Sequence, residues 1–543
     1  MADRNRERKQ WLFTVLLLLM FVVGLVVTGD YGIPTDEGQE IGILLANMRE
    51  YFEYFFSADS SLIYALDEAR IVPISRSIEM DHGQAAYYGL FPLLLAKYGM
   101  GLDITNHALS QLYHFYTYFV CFSAVVCIYW LGIELFKDKR AAMMGAVLLF
   151  VSPRFFGEMH YNNKDLVLLS LLVDTCCFAV RATKRKKMKD VLLFSFTAAL
   201  VSNTKIVGLF FFGIMGLTYI FYVSLKKQWD GQSIRRMLSA IIFFVFFYAL
   251  LTPAMWPDPN KYFSHLLSNA FQFSRWHGQI LFEGQILDPL AGELPRSYLI
   301  KLICLTTPLF ILGLAAVGLF ELLRSFCGKG KTLALPELVL FSGSCLCALA
   351  PLLVSVSTGS LVYNGWRHFY FSYFGLILLA ALGVALLLRW RLKLVSICLA
   401  ALIAADAAGL ILEHPNQYAY YNALVSREGQ LKYETDYWGV STREALETIL
   451  AQDDRAKINV SWGEDCTRLF MISAYSRMKD SEADSLWLEP DQSKADYILL
   501  NVTKGQEYGS QISEDFSLMT TIEAYGLPLT EIYQRSNGKG ENP

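Results

Sequence analysis

Charge is scarce in this chain. Of its 543 residues only 18% are Asp, Glu, Lys or Arg, against roughly 25% in an average soluble protein. None of the ten cysteines forms a Cys-x-x-Cys pair, so zinc-ribbon and dithiol chemistry lack their ligand spacing. Cys121, Cys127, Cys176, Cys177, Cys304, Cys345, Cys347 and Cys398 lie in apolar runs, Cys327 in a basic loop and Cys466 in the polar C-terminal region. They read as small packing groups. No dinucleotide-binding glycine fingerprint occurs. Gly328-Lys329-Gly330-Lys331-Thr332 ends like a phosphate-binding loop, but Ser325 stands where that loop needs its first glycine, and an apolar span precedes it rather than a strand. A nucleotide donor therefore has no visible seat. The net charge of −3 offers no basic surface for nucleic acid, and no fixed-period repeat is present.

Apolar residues fill the chain instead. They make up 54% of it, with 37 Phe, 30 Tyr and a mean hydropathy of +0.34. A water-soluble core of this size cannot hide so much apolar surface, so several segments cross lipid. Eleven spans are expected, at about 11–28, 110–136, 141–157, 165–181, 191–203, 206–225, 237–254, 298–323, 335–356, 370–388 and 394–411. With the N-terminus cytoplasmic, inside loops carry 23 Lys and Arg and the longer outside segments between helices carry 11. That asymmetry sets orientation, and an odd number of spans puts the C-terminus outside. The first span is too long, and too poor in a small-residue cleavage site, to be a removed signal.

The expected fold is a polytopic α-helical membrane protein of about eleven transmembrane helices at 1–411, with a large first outer loop at about 29–109. The tail, 412–543, reads as a small extracytoplasmic α/β domain with helices at Thr442–Ala451 and Thr467–Ser476 and strands at Lys457–Trp462 and Asp496–Val502.

Polar residues crowd the outer edge, and all eight histidines lie on or near that face. Just after the first span, Asp36 and Glu37 stand in a turn made by Gly32, Pro34 and Gly38. Two carboxylates partly desolvated at the membrane edge suit proton abstraction from a hydroxyl. The same Thr35-Asp36-Glu37 run also reads as a helix start. A short outer loop from Ser152 to Asp165 gathers Arg154, Glu158, His160, Asn162, Asn163, Lys164 and Asp165. Isolated cations at outer span ends, namely Lys205, Arg275, Arg296 and Arg367 with His368 beside it, suit a phosphate to be gripped. Asp174 and Asp406 lie within apolar spans, where an acid costs roughly 2.5–3.5 kcal/mol; they support the alternative of a membrane transporter or lipid flippase.

Several motifs, in this order, carry a family resemblance. They are the acidic pair, Asp81-His82-Gly83-Gln84 with Tyr87-Tyr88, Pro153-Arg154-Phe155-Phe156 with Asn162-Asn163-Lys164-Asp165, and Leu294-Pro295-Arg296-Ser297-Tyr298 with Thr306-Thr307-Pro308. Gly365-Trp366-Arg367-His368, His414-Pro415-Asn416-Gln417-Tyr418 and Asp436-Tyr437-Trp438-Gly439 complete them. Over about 20–445 the chain resembles the GT-C glycosyltransferases, within them the bacterial branch similar to protein O-mannosyltransferases and the lipid A aminoarabinose transferase. Gly83 and Gln84 stand where that branch has prolines.

The resemblance implies an inverting transfer of a sugar from a polyprenyl-phosphate donor to a protein, lipid or glycan acceptor at the outer face of the cell membrane. It makes Asp36 the general base, Glu37 its neighbour, orienting it or sharing the proton, and Asp165, with Glu158 a lesser candidate, a second acidic site near the acceptor or the donor sugar. Lys205, Arg296, Arg367 and His368 would hold the lipid phosphate, and His82, Tyr87, Asn162 and Asn163 would line the cavity. It names no metal ligand and leaves a divalent metal open, since some members use one and others do not.

Overall fold

The computed structural model describes residues 2–57, 60–271, 277–330, 332–503 and 512–536; Arg275 and Lys331 fall outside these. Helix α1 (Ala2–Val27) leads into the first outer loop, which contains α2 (Glu37–Phe55). The bundle continues with α3 (Asn106–Phe136), α4 (Lys139–Phe150), α5 (Pro153–Glu158), α6 (Asp165–Arg185), α7 (Met188–Thr204), α8 (Val207–Leu225) and α9 (Gly231–Leu251). After a small hairpin, β1 (Ile280–Phe282) and β2 (Gln285–Leu287), come α10 (Tyr298–Thr306), α11 (Leu309–Phe326), α12 (Leu335–Thr358), α13 (Tyr373–Trp390) and α14 (Lys393–Leu412).

Among the described residues nine helices are long and apolar enough to cross a membrane. This is a multi-pass membrane fold, and three of the expected spans differ from plain crossings. The 141–157 span is cut at Ser152-Pro153 into α4 and α5, leaving α4 with 12 residues. That is about 18 Å at 1.5 Å per residue, against a hydrocarbon core of roughly 30 Å. The 191–203 span lies in α7, whose 17 residues also fall short. The 298–323 span breaks at Thr307-Pro308, where proline supplies no amide donor. Asn422 repairs that break: its Nδ2 donates to the carbonyls of Cys304 (2.6 Å) and Thr307 (2.7 Å), and its own amide donates to Leu305 O (2.8 Å).

At the centre stand α6 and α13, largely buried, while α1, α9 and α14 lie at the periphery with few of their residues buried in the bundle. Small residues allow close crossing. A Cβ on Gly318 would lie 1.8 Å from Leu379 O, and one on Gly383 2.2 Å from Leu314 O, so α11 and α13 meet backbone to backbone.

Beyond the bundle a mixed five-stranded sheet forms in the order β4-β3-β5-β7-β6. Its strands are β3 (Ile458–Trp462), β4 (Leu486–Leu488), β5 (Tyr497–Asn501), β6 (Phe516–Ala524) and β7 (Leu527–Arg535), with helices α15 (Ser441–Gln452) and α16 (Asp465–Tyr475). Strand β3 runs parallel to β4 and β5, whereas β7 is antiparallel to β5 and β6. The β6–β7 turn places Tyr525 and Gly526 at φ of 52° and 70°, the geometry that matches hairpin twist. The expected β3 and β5 are present; β4, β6 and β7 were not anticipated, because short or polar-interrupted strands carry little alternation.

Candidate active site

Four segments deliver polar groups to one end of the bundle: the start of α2, the loop entering α6, the turn between α7 and α8, and the residues entering α13. Asp36 occupies the N-cap position of α2, yet its side chain makes no capping bond. It turns instead to Arg367, with Oδ2 3.1 Å from Nη1. The Arg367 guanidinium lies 4.4 Å over the Trp438 ring and 5.3 Å from that of Tyr363, contacts that fix its plane.

Next to this pair, Lys205 Nζ donates to Asp165 Oδ1 at 2.5 Å, and Lys164 Nζ donates to Glu40 Oε1 at 3.0 Å with His82 Nδ1 3.2 Å away. Burial holds the Lys205 amine below its usual value; Asp165 pulls it up and Lys164 pushes it further down. For Lys164 burial works against the charge and Glu40 more than offsets it, so its amine is raised. Three ammonium or guanidinium groups thus meet three carboxylates. Of the three acids, the Asp36 side chain is 43% exposed, against 5% for Glu40 and 4% for Asp165. An accessible carboxylate beside fixed cations can take a proton while the cations hold an anion.

Asp165 starts α6, where Asn162 prepares its place: Asn162 Oδ1 accepts from the amides of Asp165 (2.9 Å) and Leu166 (3.3 Å). Because Asp165 is buried against Lys205, Asp165→Asn would strand that cation, a change worth about 3–5 kcal/mol. The expected result is a lower unfolding temperature as well as lost activity, measurable in detergent by fluorescence.

Other expected site residues lie elsewhere. Glu37 follows Asp36 by one helical step, which turns it away from the cluster. It is fully buried, accepts from Ser110 Oγ (2.7 Å) and forms an ion pair with Arg477, whose Nε lies 3.1 Å away, with His114 Nε2 at 2.6 Å. Burial would raise its pKa, but His114, Arg477 and Ser110 together hold it low, so it is an anchored carboxylate rather than a proton-sharing partner. Arg296 is exposed and lines a separate 460 Å³ cavity with Leu294, Ser355, Thr358 and Val362; it does not join Lys205 and Arg367. Tyr87 is core, bonded to Thr117 Oγ1 (2.8 Å) and stacked on Tyr113. Asn163 is buried too, donating to Tyr113 Oη at 2.9 Å. His368 does sit beside the cluster, its ring 4.5 Å from that of Tyr363.

Glu158 is fully buried, accepting from Asn162 Nδ2 (2.6 Å) and from Tyr370 Oη (2.5 Å), which in turn contacts Tyr437 Oη (3.1 Å). Burial pushes its pKa up to about 7, although Arg154 pulls the other way. The folded state then keeps a proton that the unfolded chain releases above 4.5. Stability is therefore expected to fall as pH rises from there through about 7 and to level off above it. Glu158→Gln should flatten that slope in pH-dependent thermal unfolding.

The substitution of glycine and glutamine for prolines also has a reason. Gly83 N donates to Asn203 O at 3.1 Å, and Gln84 Nε2 donates to Glu40. A proline at 83 would lose the first bond.

A divalent metal does not fit the residues present. Among the described residues no three His, Cys, Asp or Glu converge to hold one. His82 contacts Glu79 (2.7 Å), but the Lys164 ammonium stands 3.2 Å from the same nitrogen and would repel a cation. Sequence reasoning did not single out Glu40, Lys164, Tyr363, Trp438 or Arg477 as site residues. Lys164 and Trp438 lay inside recognised motifs; Glu40, Tyr363 and Arg477 carry no local signal, since each reaches the site through the tertiary fold.

Residues 103–256 match the family described as dolichyl-phosphate-mannose-protein mannosyltransferase. The resemblance to GT-C glycosyltransferases stands. The matched segment carries Lys164, Asp165 and Lys205 and supports a glycosyltransferase. Similar solved structures include ArnT from Cupriavidus metallidurans in the apo state, at 11% identity and a TM-score of 0.45, covering 97% of this chain and 98% of that one. The same protein bound to undecaprenyl phosphate gives 12%, 0.43, 97% and 98%. The arabinofuranosyltransferase AftD from Mycobacteria gives 12% and 0.43, covering 96% of this chain and 41% of that one. At these values the likeness carries no argument about what this chain binds. No curated protein matches the chain.

Proposed function

We propose that this protein transfers a sugar, with inversion, from a polyprenyl-phosphate donor to an acceptor at the outer face of the membrane. The observation that carries the reading is the meeting of the accessible Asp36 carboxylate with Arg367, Lys205 and Lys164 at one end of the bundle. The family match over 103–256 and the Lys and Arg asymmetry of the loops support the reaction class and the orientation, with the N-terminus inside and the tail outside.

In this mechanism Asp36 accepts the proton of the acceptor hydroxyl or amine. The freed electron pair attacks the anomeric carbon from the face opposite the phosphate. The bond from that carbon to the phosphate oxygen breaks, its electrons stay on the oxygen, and polyprenyl phosphate leaves. Charge grows on the phosphate in the transition state, so Arg367, Lys205 and Lys164 bind that state more tightly than the ground state. Arg367 pairs with Asp36, which in this reading couples the grip on the leaving group to the base.

The transporter alternative finds little support. Asp174 is held inside the bundle by Ser123 Oγ, which donates to its Oδ2 at 2.6 Å. Asp406 lies on peripheral α14, and no described contact joins the two into a path.

The test is release of free polyprenyl phosphate from a panel of polyprenyl-phosphate sugars by protein in nanodiscs, with Asp36→Asn alongside. Release by the wild type and not by the variant is expected. No release, together with no saturable donor binding, would overturn the reading.

A further inference from the structure

We infer that the C-terminal domain is part of the catalytic apparatus, with Arg477 a positioning residue that fixes the Asp36 turn through Glu37. This rests on reading Asp36 as the base. From Tyr31 to Pro34 the turn has no regular secondary structure of its own, and residues from Trp438 to Arg477 bond it along both flanks. Thr35 N donates to Trp438 O at 3.1 Å, and Ser473 Oγ donates to Pro34 O at 3.2 Å. Arg443 Nη1 donates to the carbonyls of Gly29 (3.1 Å) and Tyr31 (3.0 Å). A Cβ on Gly32 would lie 2.0 Å from Val440 O, and one on Gly38 2.8 Å from Arg477 Nη2. Both glycines let the domain close directly onto the turn.

Arg477 is the member of this clamp that pairs with a carboxylate of the turn. Its Nε lies 3.1 Å from Glu37 Oε1, while Nη1 donates back to Ser473 O (3.2 Å) and Ser476 Oγ (2.8 Å). Glu37 is fully buried, and without Arg477 only His114 and Ser110 remain to offset the cost of burying its charge, which favours taking a proton or moving toward water. Loosening the Glu37 side chain frees the helix start that carries Asp36, its covalent neighbour. Trp438 closes the circuit: its carbonyl holds Thr35 and its ring holds the Arg367 that pairs with Asp36. A domain attached for packing alone would not need to bond both flanks of one carboxylate.

The experiment uses full-length protein in nanodiscs, comparing wild type, Arg477→Met, Arg477→Lys, Glu37→Gln and the double variant Glu37→Gln/Arg477→Met. It reads turnover at saturating donor, donor KM, and amide hydrogen exchange over residues 29–38. Arg477→Met should lower kcat roughly 10- to 100-fold, the scale of a misplacement near 1 Å, with donor KM unchanged. Exchange at Thr35 and Glu37 should quicken, and Arg477→Lys should restore part of both. The double variant should lose no more than the worse single one, because the two residues act as one unit. Arg455→Ala, in an exposed ion pair with Asp453 and Asp496, should leave turnover at the wild-type rate.

Unchanged exchange in Arg477→Met, quickened exchange with full turnover, or additive losses would overturn the inference. Where Arg477→Met fails to fold, Ser473→Ala removes a bond to the same turn without uncovering a charge. It should then show the same pattern with a smaller loss, and full turnover with unchanged exchange would overturn the inference. A wild type without transferase activity would defeat the proposed function instead, and the exchange measurement would still decide whether the tail holds the turn.

Discussion

Replacing Asp36 by Asn is expected to cut turnover about 10²- to 10⁴-fold, the range a general base contributes, while the protein stays folded and still binds donor. The fold should tolerate the change because the Asp36 side chain is 43% exposed and makes no cap bond to α2. A partly exposed ion pair contributes roughly 0–1 kcal/mol to stability. Arg367, deprived of that pair, keeps the faces of Trp438 and Tyr363. The measurement is the initial rate of polyprenyl-phosphate release at saturating donor, set beside donor binding and thermal unfolding of the same preparations. Turnover close to wild type would remove Asp36 from the reaction. The remaining carboxylates of the cluster, Glu40 and Asp165, are each bound to a lysine and buried, so neither is placed to take over.

The second large effect is expected at Arg367. Arg367→Ala should weaken donor binding about 10- to 100-fold, because a hydrogen bond to a charged group is worth about 1.5–3 kcal/mol and 1.4 kcal/mol is a factor of ten. Acceptor affinity should change far less. Arg367→Lys should recover only part of the loss: an ammonium has no planar fork to match a phosphate and stacks poorly on Trp438. Equilibrium binding of polyprenyl phosphate and, separately, of acceptor distinguishes the outcomes. Equal weakening of both would assign Arg367 to structure rather than to the phosphate.

The pair Asp36 and Glu37 shows where sequence reading stops. Both residues were legible as candidates, because two adjacent acids beside Gly and Pro at a membrane edge are unusual. Which of them faces the site was not legible. One residue step at a helix start turns the side chain by about 100°, and that rotation sends Asp36 to Arg367 and Glu37 into a pocket built by Ser110, His114 and Arg477. Arg477 stands 440 positions along the chain from Glu37, and no spacing rule links them. Lys205 and Arg296 present the same difficulty. Both are lone cations at apolar span ends, yet the fold sends one to Asp165 and the other to a different cavity.

Composition and hydropathy by themselves determined that the chain crosses a membrane many times, roughly where the helices lie, and that a mixed α/β tail follows. These depend on the free energy of apolar residues in lipid and on local periodicity, both properties of contiguous residues. Only the tertiary structure decided which helices are central. The span Arg367–Trp390 and the span Leu394–Leu412 are nearly equally apolar, but the first is largely buried in the bundle and the second hardly at all. Lipid and protein interior are equally apolar to a leucine side chain, so hydropathy cannot separate them. The separation comes from helix packing and polar contacts between distant residues, and the same contacts select the carboxylate and the cations that form the site.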